Sequence, residues 1–256
     1  MSASEPTPPA VPPRFEVNEQ LEKAGTLFRA HLLKCLPLSM VAVLASSAAE
    51  LYYNGFGRAP AEAKPEPATL KLPDDPLFWI IDVAGALVSV WLMNAVILRL
   101  AALRAGRLPP IGENLRASGA RWLPAAGATF LALMAVFVGL LALIVPGVYL
   151  AICMVVLMPV VLFEPVDPVG ALLRSYRLIR PLWVKTFACV LISAFMGFVC
   201  LLALTSVLGL LFGAVAENHL VQAVLQALVL ALLAAFYVFV GALSLTIYTT
   251  AASSSA

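Results

Sequence analysis

Apolar positions in this chain gather into roughly six stretches between Leu36 and Tyr248, parted by short polar segments. Within each stretch the apolar residues are continuous and do not alternate with polar ones, so the pattern predicts helices and not barrel strands. A helix crossing a bilayer needs about 20 mostly apolar residues, because each adds about 1.5 Å against a core of about 30 Å. The predicted spans are 36–53, 77–100, 123–145, 147–163, 183–215 and 220–250. The run from Leu123 to Phe163 is about twice the length of one crossing. Val145-Pro146-Gly147 interrupts it, and a tight turn at Pro146 and Gly147 is expected there. The predicted fold is an all-α, polytopic membrane bundle of about six transmembrane helices with amphipathic cytoplasmic helices.

Charge orients the bundle. Thirteen of the sixteen Lys and Arg fall before the first span, between the second and third, or between the fourth and fifth, counting Arg99 and Lys185 just inside the bordering span ends. Short basic loops stay in the cytoplasm, so both termini are expected there. Trp79, Trp122 and Trp183 each open a predicted span, where an interfacial aromatic belt would place them. Composition agrees: 62% of residues are hydrophobic and 12% charged, and the mean hydropathy is +0.98, far from a soluble domain. Residues 1–17 read as a Pro-rich, disordered cytoplasmic tail without the apolar core of a secretory signal. Residues 18–252 form the membrane domain and 253–256 a short tail.

Three segments, Asn18 to Ala30, Glu113 to Trp122 and Asp167 to Trp183, are each polar, basic and helix-compatible, and each leads into an apolar run. They suggest three repeated units of a cytoplasmic helix plus a helical hairpin. In the third, Asp167 is placed to cap a helix beginning at Pro168, a residue suited to the first helical position. Arg174, Arg177 and Arg180 recur every third residue, with Leu172, Tyr176 and Ile179 on another side. Such a helix is expected along the cytoplasmic surface, with Arg116, Arg121, Arg174, Arg177 and Arg180 near lipid phosphates.

Polar residues within the spans are the other candidates, because an ionisable group in hydrocarbon is costly. Glu50 and Asp82 lie near the outer ends of adjacent helices, exposed to water or facing one another about a cation or proton. Asn94 is deeper and is expected to hydrogen-bond between helices, while Glu164 either sits at the interface or pairs with Arg174. Gly209 and Gly213 give a small-residue spacing that lets helices approach. Cys35, Cys153, Cys189 and Cys200 lack paired spacing and read as packing residues. The two histidines, His31 and His219, fall on opposite sides, so no metal pair and no Ser-His couple is expected. No catalytic residue, cofactor or nucleic-acid partner is implied.

Pro146-Gly147-Val148-Tyr149, Pro159, Glu164, and Ala171-Leu172 with Ser175 and Leu178 followed by Trp183, form a series that resembles the YciC-like bacterial membrane proteins. It also resembles the related membrane domain of some glycerophosphodiester phosphodiesterases. Tyr176 and Arg180-Pro181 depart from that pattern. The resemblance implies an integral protein of the bacterial inner membrane and carries over no catalytic residue. The expected function is non-enzymatic, an envelope-organising or accessory role in contact with anionic lipid and an unidentified membrane protein partner. The alternative is a transporter or lipid-translocating protein with a polar path near Glu50, Asp82 and Asn94.

Overall fold

The computed structural model describes residues 15–55, 75–212 and 219–254, and among these every regular element is helical. The helices are α1 (Val17–Ser46), α2 (Ala48–Gly55), α3 (Pro76–Arg104), α4 (Ile111–Ala120) and α5 (Trp122–Ala142). They continue as α6 (Ile144–Cys153), α7 (Leu157–Phe163), α8 (Pro168–Ile179), α9 (Trp183–Phe212) and α10 (His219–Ser254). Six helical stretches are long and apolar enough to cross a membrane, with α6 and α7 together making the fourth. The protein is thus a polytopic helical bundle. The tail before residue 15, the whole of the 56–74 loop and the Glu217-Asn218 part of the last turn lie outside the described residues, as does Gly213.

Asn18 to Ala30 does not form a separate surface helix: it is the first half of α1, which runs unbroken into the apolar run. Gln20, Ala24 and Leu27 are buried on that half, which packs it into the bundle. α1 lies antiparallel to α3, since Lys34 meets Arg99 while Gly85 lies against the carbonyl of Ala45. A side chain at Gly85 would collide with that backbone. α1 is also antiparallel to α10, with Thr250 Oγ1 donating to Gln20 Oε1 (3.2 Å) and Phe28 edge-on to Phe239. α1 and α10 contribute to both apolar clusters, one shared with α3 and the other with α5 to α9. They form the axis of the bundle.

The helix ends follow from local chemistry. Asp75 accepts from the Leu77 amide (2.9 Å) with Pro76 at the first position of α3, where a missing N–H costs nothing. Gly106, at φ 73°, closes that helix, with the amides of Gly106 and Arg107 returning to the carbonyls of Leu103 and Ala102. The α5–α6 turn falls at Leu143, which is extended (φ −167°, ψ 150°), and not at Pro146-Gly147. Pro146 lies in the first turn of α6, where its missing N–H has no helical partner to lose. Gly147 sets the closeness of the hairpin: a Cβ there would meet the Leu140 amide nitrogen at 2.7 Å.

The fourth span is broken at Met154 to Val156. The Leu157 amide bonds to Met154, leaving the Cys153 carbonyl without its helical donor, and Pro159 cannot supply one to Val155. Two serines take these places: Ser175 Oγ of α8 donates to Cys153 (2.7 Å) and Ser244 Oγ of α10 to Val155 (2.7 Å). Each bond answers a carbonyl that the helix break leaves without its helical donor.

Replacing Ser244 with Ala is therefore expected to cost about 1 kcal/mol. Removing the exposed Ser253 hydroxyl is expected to cost nothing measurable. Unfolding in mixed micelles checks both, and equal stability of the two variants would contradict the assignment.

Candidate functional site

The basic segments converge on one end of the bundle. α1 begins there, α3 and α7 end there, α4 and α8 lie there, α5 and α9 start there and α10 finishes there. All the described lysines and arginines lie in this half. The opposite end carries Glu50, Asp75 and Asp82, with Tyr52 donating to Asp75 Oδ2 (3.2 Å).

α8 starts at Pro168 with Asp167 at the N-cap, yet the Asp167 side chain makes no capping hydrogen bond. One carboxylate oxygen lies against Gly170, where a Cβ would approach it to 2.6 Å. Ala171, Ser175, Leu178 and Ile179 bury one face of α8 in the main cluster. The helix is consequently fastened to the bundle over a whole face, and its outer side carries the exposed Arg177 and, just beyond its end, Arg180. Arg180 opens the 3-10 turn Arg180–Leu182, which swings the chain into α9 at Trp183. The Trp183 ring stacks between Tyr149 and Phe187 and donates through Nε1 to the Tyr149 carbonyl (3.3 Å). Tyr176 meets Tyr149 edge-on and extends this aromatic group.

Glu164 organises the centre of the basic end. Arg174 Nε donates to both its oxygens (3.1 and 3.3 Å), the Tyr248 hydroxyl donates to Oε1 (3.2 Å), and Arg121 Nη1 reaches its backbone carbonyl (3.4 Å). One carboxylate thereby links α8 and α10 beside the start of α5, and Phe163 stacks on Tyr248 next to it. Of the five arginines expected near phosphate, Arg174 and Arg121 are half-buried and engaged with Glu164. Arg116, Arg177 and Arg180 are exposed. Trp91 Nε1 and Ser118 Oγ tie α4 to α3 through the Leu115 and Trp91 carbonyls, which holds Arg116 outward.

Arg99, which the charge pattern places with the cytoplasmic segment after the second span, is 7% exposed inside α3. Its Nε donates to the Lys34 carbonyl (2.8 Å) and its Nη1 to the Pro109 carbonyl (3.1 Å). It fastens α1 and the α3–α4 loop to α3. The signal in the sequence is its place five residues before the helix end, within an apolar run.

Comparison with protein-family models, curated proteins and solved structures finds no match for this chain.

Glu50 is exposed and Asp82 half-exposed, and among the described residues no group of three His, Cys, Asp or Glu is arranged for a metal. Asn94 is fully buried, and neither Oδ1 nor Nδ2 has a hydrogen-bond partner, unlike the interhelical bond expected of it. By helical phase it shares a face with Val90, which packs on the main cluster, and Ala101 at the basic end. Asp82 lies twelve residues away, about 18 Å along the helix, so the two do not form one site. The Gln20 amide nitrogen and the Thr186 hydroxyl are likewise buried without partners.

A buried amide without partners opposes folding, so Asn94→Leu is expected to stabilise the protein by about 1 kcal/mol. A loss of stability on that replacement, read by unfolding in micelles, would show that the amide has a polar partner in the folded protein.

Proposed function

We propose that this chain is a multi-pass protein of the bacterial inner membrane, with both termini cytoplasmic and its basic end at the anionic lipid surface. The observation that carries this reading is the segregation of charge: the described Lys and Arg occupy one end, and Arg116, Arg177 and Arg180 point outward from it. A basic residue near an anionic leaflet contributes about 1 kcal/mol of attraction, and its retention on the cytoplasmic side is the ordinary rule for short loops. The role proposed is non-enzymatic: an accessory or envelope-organising protein that holds lipid about itself and docks a membrane protein partner. The rigid fastening of α8 supports it, because arginines on a fixed helix present a stable charged surface. The series from Pro146 to Trp183 supports a place among the YciC-like membrane proteins, since Gly147, Ser175 and Trp183 each hold a specific backbone contact.

The test is native mass spectrometry of the chain released from nanodiscs of mixed phosphatidylethanolamine and phosphatidylglycerol. Phosphatidylglycerol is expected to be enriched among retained lipids, and the combined Arg116→Gln, Arg177→Gln and Arg180→Gln variant is expected to lower that enrichment at least twofold. Unchanged enrichment in the variant would overturn the lipid assignment. A reporter enzyme fused after Ala256 is expected to be active only when it functions in the cytoplasm, and activity of a periplasmic reporter would overturn the orientation.

A further inference from the structure

Between α1, α3 and α10 an open cleft of about 350 Å³ lies at the basic end, lined by the exposed Lys23, Thr26 and Arg104, the half-buried His31 and the buried Thr246. Among its lining residues none is a carboxylate, but Glu19 Oε1 lies 2.6 Å from Lys23 Nζ and already pairs with it, which leaves Arg104 as the less committed cation. The two threonine hydroxyls spend their hydrogens on their own helices, at the Lys23 and Leu243 carbonyls. The donors left to a ligand are cationic or imidazole nitrogens. Arg104 makes one hydrogen bond, from Nη1 to Thr249 Oγ1 (3.0 Å), so most of its N–H groups are uncommitted. His31 Nδ1 is buried without a partner.

Arg104 also borders a second cavity of about 380 Å³, whose other walls include Phe163, Leu245 and Tyr248. That second space is mainly apolar. The exposed Arg104 guanidinium therefore borders both a basic cleft and an apolar one. We propose that Lys23, His31 and Arg104 bind a phosphate group, with Arg104 as its principal anchor through paired N–H donors. The cleft is large enough for a phosphate group with more of a ligand attached to it. The neighbouring apolar space fits the adjoining glyceride portion of a phosphate-headed lipid. The proposal adds one stoichiometric site to the proposed function and shares with it only the placement of the basic end at the membrane surface; it does not use Arg116, Arg177 or Arg180.

The experiment uses the full chain in two kinds of nanodisc, phosphatidylcholine alone and phosphatidylcholine with a minor share of phosphatidic acid. Native mass spectrometry counts the retained lipid, and thermal melting in the phosphatidylcholine discs reads the effect of inorganic phosphate. One phosphatidic acid per chain is expected, lowered at least fivefold by Arg104→Gln and less by Lys23→Gln or His31→Gln. Arg104→Lys keeps the charge without the fork and is expected to retain an intermediate amount, which separates lost binding from lost folding. Arg177→Gln is expected to retain this lipid, so that failure of the proposed lipid-organising function and failure of this site are read apart. Stabilisation by inorganic phosphate that Arg104→Gln abolishes, without retained lipid, would also support the phosphate site and assign it to a soluble ligand. Retention and melting that are the same in wild type and Arg104→Gln would overturn the proposal, as would the absence of both lipid retention and phosphate stabilisation.

Discussion

In hydrocarbon a carbonyl released from a helix has no water to turn to, and this constraint governs the bundle most visibly at the broken fourth span. The break between α6 and α7 frees the carbonyls of Cys153 and Val155, and serines from α8 and α10 meet them. Those two bonds do more than satisfy backbone. The Ser175 bond joins the apolar face and the Arg174–Glu164 pair in fixing α8, and the Ser244 bond ties α10 to the break beside α7, near where Tyr248 reaches Glu164. The position of the basic end thus follows from a helix break deeper in the bundle.

The same logic recurs at the other polar anchors. Arg99 donates to two backbone carbonyls and not to a carboxylate, so a charge within an otherwise apolar helix becomes a clamp on α1 and the loop after α3. Trp91, Trp122 and Trp183 each donate an indole N–H to the carbonyl of another helix. Trp122 and Trp183, expected in an interfacial belt, act also as links between helices. Against this background Asn94 stands out, since both polar atoms of its amide are buried with no partner. At the basic end Glu164 is taken up by an arginine and a tyrosine.

Much of this architecture is legible in the chain because hydrocarbon thickness leaves few choices. Six apolar stretches of crossing length gave six helical spans, and Pro168 and Trp183 marked helix starts for simple steric and interfacial reasons. The pairing of Glu164 with Arg174 follows from ten residues of intervening turn and helix. Other features depend on contacts that no local pattern carries. The unbroken α1 requires α10 to bury Gln20 and Ala24, and the turn at Leu143 requires the close approach of Gly139 to Gly147. Ser175 and Ser244 have no distinctive spacing, and only the fold shows that each lies opposite a freed carbonyl. Arg104 looked like one more loop arginine, and its place between two cavities depends on the docking of α1 and α10 against α3.

The central claim is that the break in the fourth span is sealed by protein and leaves no water path through the bundle. Cys153, at the edge of that break and fully buried, reports on it directly. A variant retaining Cys153 as its only cysteine would be treated in sealed vesicles with a small, charged, water-soluble thiol reagent from each side. The account predicts no modification of Cys153 from either side until the protein is unfolded. Rapid modification from one side in the folded protein would contradict it and reveal a water-filled passage at the break.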